Sequence, residues 1–177
     1  MILIDPDLDS SAAADAPDAT SAKGTGVPAK ATKTRQLRLP SARTLARFLA
    51  QAQAAVHLQG EVTVLLTTDA AIRKLNYQFR GRNKPTDVLS FPAEAIGAEE
   101  IAGDLAVSVT TALRQVAEQG HSLSTEIKVL ILHGLLHLAG QDHEADNGRM
   151  ARRERQLRAR LGLPQGLIER AARGPRP

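Results

Sequence analysis

The stretch of residues 127–138, IKVLILHGLLHL, limits the fold more than any other part of the chain because it is apolar on nearly every side of a helix. A helix with this pattern is buried in a protein core. It nevertheless carries His133 and His137, whose spacing of four residues puts both side chains on one helical face, one turn apart. Buried imidazoles need polar partners or a ligand. The stretch therefore predicts a central buried helix that presents a histidine pair to a site.

A third histidine follows this helix after a glycine. Gly140 stands where helices commonly end in a left-handed residue, which would let the chain reverse and return His143 toward His133 and His137. Three neutral imidazoles suit one divalent ion, and a catalytic zinc site typically keeps three protein ligands and an open fourth position. The chain has no cysteine, which excludes Cys-rich structural zinc, and an all-histidine site favours zinc over nickel, copper or iron.

We therefore predict that His133, His137 and His143 bind one Zn²⁺ ion with an open fourth position. A water molecule in that position can have its pKa lowered to about 7, which makes hydroxide available at neutral pH. The predicted chemistry is hydrolysis.

The remaining patterns predict an α+β domain, with a small mixed sheet of about four strands packed with about five helices. Asp69 is the predicted N-cap of the second helix. The predicted strands are 2–4 at a sheet edge, 61–68, 86–91 and 103–109, and the predicted helices are 41–56, 70–80, 110–119, 123–139 and 145–161.

The chain divides into four predicted parts. Residues 1–8 contain the edge strand, residues 9–34 are a disordered low-complexity insertion with little that could be buried, residues 35–161 form the folded domain, and residues 162–177 are a basic tail. A hydrophobic content of 42% is enough for one core, whereas an aromatic content of 2% excludes broad stacking platforms for bases.

The sequence also favours a cytoplasmic location without a membrane partner. The absence of cysteine fits a reducing compartment. No apolar run approaches the roughly 20 residues of a membrane-spanning helix. The acidic start lacks the basic and then apolar order of a signal peptide.

Two groups of basic residues suggest contacts with phosphate. Arg80, Arg82 and Lys84 stand in a loop before Pro85, and guanidinium groups offer several donors suited to phosphate oxygens. The helix at 145–161 is crowded with arginine, and its predicted substrate-binding members are Arg152, Arg155 and Arg158. Taken alone, a loop cluster of this kind is more often a solvated surface, whereas the arginine-rich helix could equally be a solvated face or an RNA-binding surface.

Three ordered segments resemble the YbeY family of bacterial endoribonucleases, the rRNA maturation factors. The string HGLLHLAGQDH at residues 133–143 resembles the histidine signature of the family, in which three histidines bind zinc. The segment LNYQFRGRNKPTDVLSFP at residues 75–92 resembles its other signature, and GDLAVS at residues 103–108 matches a third, shorter block. The resemblance covers roughly residues 37–161.

The resemblance implies a zincin-like, metal-dependent hydrolase. It implies a single-strand-specific, zinc-dependent endoribonuclease acting in rRNA maturation, including processing of the 16S rRNA 3′ end, and in ribosome quality control. The implied partners are precursor rRNA and the small ribosomal subunit, with ribosomal proteins or GTPases as protein partners. Arg80 aligns with an arginine regarded as important for activity, so it is assigned as catalytic, stabilising charge on the scissile phosphate.

Two other functions stay open at this level. One is a ribosome assembly factor whose zinc is mainly structural. The other is a zinc peptidase, which is disfavoured because zincin proteases place a glutamate base directly after the first histidine, where this chain has Gly134. The sequence also leaves open whether water or the neighbouring 2′-hydroxyl attacks the phosphate.

Overall fold

A mixed four-stranded sheet carries five helices in the part of the chain that the computed structural model describes, residues 1–8, 39–93, 101–142 and 146–164. The predicted α+β architecture is confirmed. The insertion at 9–34 and all but the first residues of the tail lie outside the described residues. The strands are β1 (Ile2–Ile4), β2 (Glu61–Thr67), β3 (Val88–Pro92) and β4 (Ile101–Ser108), and the helices are α1 (Ala42–Val56), α2 (Asp69–Arg80), α3 (Val109–Gln119), α4 (Leu123–Leu138) and α5 (Arg149–Arg160).

The strand order is β1-β2-β4-β3, so the N-terminal strand lies at one edge, as predicted. β1 pairs in parallel with β2, with Ile2 opposite Val64, and β2 pairs in parallel with β4. β3 closes the other edge antiparallel to β4, with Val88 opposite Val107. Parallel pairs need helical crossovers, which accounts for the helices between these strands.

Serine and threonine side chains define where four of the helices begin. Each accepts a hydrogen bond from the backbone N–H three residues later, which satisfies one of the free donors of the first turn. These N-caps are Ser41, Thr68, Ser108 and Ser122. The predicted start of α4 at residue 123 is therefore confirmed.

The prediction that Asp69 is an N-cap is wrong. Thr68 is the N-cap, and Asp69 is the first residue of α2. Its carboxylate accepts hydrogen bonds from Ser108 Oγ at 2.5 Å and Thr111 Oγ1 at 2.7 Å, and pairs with Arg114 at 2.8 Å. Burial raises the pKa of Asp69, but these hydrogen bonds and the Arg114 charge outweigh it and leave the pKa below its ordinary value. Asp69 thus ties α2 to the start of α3.

The arginine-rich helix begins at Arg149 and not at residue 145. Asn147 and Gly148 have φ angles of 53° and 78°, which a right-handed helix does not allow. The Asp146 carboxylate accepts hydrogen bonds from the N–H groups of Gly148 at 2.9 Å and Met150 at 2.5 Å. A turn closed by Asp146 therefore precedes the helix.

The histidine helix α4 is the centre of the core, as its sequence predicts. Nearly all of its apolar side chains are fully buried, and it packs against β3 and β4. Gly134 allows this close approach, because a Cβ at that position would lie 2.7 Å from Leu105 Cδ2 and 3.3 Å from Val88 Cγ2. The helix ends in a Schellman motif: Gly140, with φ of 78°, donates to the His137 carbonyl, and Gln141 donates to the Leu136 carbonyl.

We expect Gly134→Ala to destabilise the protein, although alanine is the better helix former. Helix propensity favours alanine by about 1 kcal/mol, while overpacking a rigid core costs about 1–3 kcal/mol. The free energy of unfolding, measured by urea denaturation, should fall by roughly 1 kcal/mol. Adding Leu105→Val removes the Leu105 Cδ2 methyl group that the new Cβ would meet, and it should recover part of the lost free energy of unfolding. A Gly134→Ala variant more stable than the wild type would contradict the close contact.

None of the helices within the described ranges combines the length and the apolar character that crossing a membrane requires.

Candidate active site

The last two turns of α4 bring the predicted histidine pair together. His133 is 8% exposed and His137 is half-buried, and their Nε2 atoms lie 3.1 Å apart. Two nitrogens bound to one zinc at 2.0–2.1 Å with a tetrahedral angle would be about 3.3 Å apart. The pair therefore fits two ligands of a single ion, although the same separation also suits a hydrogen bond between the rings. The donor set, two neutral imidazoles, is one that zinc accepts readily.

Glu154 of α5 fixes the orientation of His133. Its Oε2 lies 3.0 Å from His133 Nδ1, so the imidazole donates its Nδ1 proton to the carboxylate and leaves the Nε2 lone pair directed toward His137. Metal-binding histidines are commonly held in this way by a carboxylate on the other ring nitrogen. The sequence analysis did not identify this residue.

Arg158 is a second charged residue of α5 whose side chain points inward. It is fully buried, pairs with Glu154 Oε1, and donates from Nη1 to the Pro164 carbonyl at 2.9 Å. The prediction that Arg158 contacts substrate is therefore wrong, because its guanidinium faces the core. Burial raises the pKa of Glu154, but the hydrogen bond from His133 and the charge of Arg158 outweigh it, so the pKa lies below its ordinary value.

The third predicted ligand, His143, lies outside the described residues. Among the residues that are described, no group of three or more histidine, cysteine or acidic side chains converges as a metal site would require. His133 and His137 thus supply the described part of the predicted zinc site.

A cleft of about 630 Å³ opens beside His137. One part of its lining comes from the end of α4 and the following turn, including Asp142, and the other from the end of α2, the loop that follows it and β3. The second part contributes Arg80 and Arg82, whereas Lys84 does not line the cleft. The fold therefore brings His137 of the histidine pair and two of the three predicted loop cations to one cleft.

Arg80 is exposed at the end of α2, and with the described residues it makes one weak contact, from Nη2 to the Ser90 carbonyl at 3.5 Å. Most of its five donors remain available to a ligand. The loop that follows is held by Asn76, a buried residue whose Nδ2 donates to the Lys84 carbonyl at 2.7 Å and whose own carbonyl accepts from Arg82 N at 3.3 Å. Asn76 therefore fixes the backbone that presents the cations.

Arg152 and Arg155 are exposed on α5, as predicted, but neither lines this cleft. Arg153 is directed toward α1, where it donates to the Ala55 carbonyl at 3.3 Å. The role of Arg152 and Arg155 in substrate binding stays a prediction.

Fold and site together define a class: an α+β protein whose buried helix presents a histidine pair to a cationic cleft. Residues 29–162 match the family model described as endoribonuclease YbeY. A protein of Koribacter versatilis named endoribonuclease YbeY is 48% identical over 133 residues, which cover 75% of this chain and 86% of that protein. One of Solibacter usitatus with the same name is 49% identical over 124 residues, covering 70% and 82%. The chain belongs to the YbeY family.

A solution structure of a Thermotoga maritima protein is also similar, at 28% identity and a TM-score of 0.49, covering 70% of this chain and 85% of that one.

Proposed function

We propose that the protein is a zinc-dependent endoribonuclease that cleaves single-stranded RNA in rRNA maturation, including the 16S rRNA 3′ end, and in ribosome quality control. The convergence of the His133 and His137 Nε2 atoms beside a cleft lined by Arg80 and Arg82 carries this proposal. The names of the similar proteins support the reaction class. A ribosomal substrate would place the protein in the cytoplasm.

His133, His137 and His143 would hold the zinc ion, which would supply Lewis acidity toward a phosphate oxygen and a bound water of lowered pKa. Glu154 keeps the His133 Nδ1 proton in place, so that the Nε2 lone pair would be the one that coordinates the ion. Arg80 would direct its guanidinium at the scissile phosphate and offset the charge that develops there. Arg82 would bind a phosphate of the same strand.

The geometry also bears on the peptidase alternative. A glutamate base would need room at residue 134, but a Cβ there already meets the Leu105 and Val88 side chains. No space remains at that position for a longer side chain, and this disfavours peptide hydrolysis by the zincin protease mechanism.

The first test is elemental analysis of the purified protein combined with an RNA cleavage assay. We expect about one zinc ion per chain, cleavage of single-stranded RNA that a chelator removes, and restoration on adding zinc. Alanine at His133, His137 or His143 should lower zinc content and thermal stability together, because the bound metal stabilises the folded state. A triple variant that keeps stoichiometric zinc would contradict the assignment.

The same assay separates the remaining alternatives. A 2′,3′-cyclic phosphate at the new end identifies the neighbouring 2′-hydroxyl as nucleophile, and a 5′-phosphate with a 3′-hydroxyl identifies water. Zinc-loaded protein that binds precursor rRNA without cleaving it would favour an assembly factor with a structural ion.

A further inference from the structure

A second cleft, of about 400 Å³, lies at the other end of α4 from the histidine pair. Its lining comes from the first turns of α1, the start of α4 and the chain that follows α5. Three cationic side chains surround it: Arg43 and Arg47 from α1, and Lys128 from α4. We call it the distal cleft.

Among the described residues, nothing compensates the positive charge of the distal cleft. No carboxylate is among its lining residues. Within the described parts of the chain, Arg43, Arg47 and Lys128 have no ion-pair partner, in contrast to the buried Arg158. Arg43 and Arg47 are four residues apart, so they project from one face of α1. An anion in the cleft would therefore meet several donors at once.

Two further features of the distal cleft favour an anion. The Lys128 ammonium lies 5.7 Å from the centroid of the Phe48 ring, a cation–π contact that keeps it at the cleft wall. The lining also includes Thr44 and Thr125, which lie in the first turns of α1 and α4, where helix dipoles present their positive ends. Both features favour a negatively charged occupant.

The distal cleft is separate from the active-site cleft. Lys128 and His137 are nine residues apart on α4, which is two and a half turns, so they project from opposite sides of the helix and are about 14 Å apart along its axis. The two clefts share no lining residue. A short strand in one cleft cannot also fill the other, whereas a long RNA can reach around the domain.

We propose that the distal cleft binds backbone phosphates of the substrate RNA at a place remote from the scissile bond. This inference rests on the proposed function, because RNA held at the active site supplies the polyanion. A second contact on a molecule already bound is intramolecular and therefore gains affinity at a small entropic cost. The distal cleft thus favours long or structured RNA over short oligonucleotides.

The test compares Arg43→Gln/Arg47→Gln with a matched control, Arg73→Gln/Lys74→Gln. Both double variants remove two exposed helical cations, and the control residues line neither cleft. With a long precursor rRNA, we expect the Arg43/Arg47 variant to raise the Kd about tenfold near 0.15 M salt and to reduce the logarithmic salt slope by about 0.7–0.9 per lost contact. The kcat/KM for a short single-stranded oligonucleotide should match that of the control.

Equal Kd and equal salt slope for the two double variants on long RNA would overturn the proposal. The proposal would also be overturned if the Arg43/Arg47 variant lost as much kcat/KM on the short oligonucleotide as it loses in affinity for long RNA. The cations would then act at the active site or on the fold. Failure of the proposed function can be distinguished from failure of this inference. In the first case the wild type would cleave neither RNA, while the Kd and the salt slope for long RNA would still show whether the distal cleft binds it.

Discussion

Replacing Arg80 with glutamine should lower the saturated rate of RNA cleavage by about 10²-fold or more and leave the thermal unfolding temperature unchanged. Donors aimed at charge that develops in the transition state have effects of this size. The fold should tolerate the change, because within the described ranges the exposed guanidinium makes only a 3.5 Å contact, with the Ser90 carbonyl. The measurements are kcat and KM on a single-stranded substrate, with a melting curve for each variant.

Two variants serve as controls for this result. Arg82→Gln removes the same charge from the same cleft and should act mainly on KM. Arg80→Lys keeps the charge but loses the planar fork, so its rate should lie between the wild type and Arg80→Gln. If Arg80→Gln raised KM and left kcat intact, Arg80 would be a binding residue only.

Replacing Arg158 with methionine should cost about 3–5 kcal/mol of unfolding free energy, because removing one partner of a buried ion pair leaves the other charge uncompensated. Arg158 is fully buried and Glu154 is 2% exposed, so water cannot take over the lost contact. Arg152→Met is the matched control: it is an exposed arginine on the same helix and should change stability by roughly 0.5 kcal/mol or less. Urea denaturation of both variants measures the difference.

Glu154→Gln separates the two roles of this carboxylate. It removes the charge that holds the His133 Nδ1 proton, so zinc affinity, measured by competition with a chelator, should fall by about 10–100-fold. Combining it with Arg158→Met removes both charges and should recover stability relative to Arg158→Met alone. A double variant with simply additive losses would show that the two side chains are not energetically coupled.

Local sequence signals were sufficient for most of the architecture. The predicted helices at 41–56 and 123–139 begin within one residue of α1 and α4, Gly140 marked the end of α4, and the apolar stretch at 127–138 marked the core. These features depend on a few neighbouring residues, so they can be read from the chain alone. Asp69 was misassigned because Thr68, one residue earlier, is also a preferred capping residue and its side chain accepts from the backbone of Ala71.

The carboxylate behind His133 was harder to predict, because its partner lies 21 residues away and an arginine-rich helix resembles a solvated surface. One signal was present. Met150, Glu154, Leu157 and Arg158 follow the spacing of a buried helical face, and all four are buried. Two apolar residues on the stripe of Glu154 and Arg158 thus indicated that these charges point inward. The many arginines of α5 obscured this pattern, and the tertiary structure was needed to identify the partners of Glu154 and Arg158.

The position of β1 has a consequence for how the chain reaches this fold. Closing the loop of roughly 60 residues between Ile2 and Val64 costs about 1 kcal/mol more than closing the loop of roughly 20 residues between Val88 and Val107. A strand of three residues offers few contacts to offset that difference. The antiparallel pair should therefore form before β1 docks.

Until β1 docks, the edge of β2 presents unpaired backbone groups beside the apolar side chains of Val62, Val64 and Leu66. An open edge of this kind is a template for pairing with another chain. The arrival of β1 is thus the step that protects newly made molecules from aggregating through their sheets.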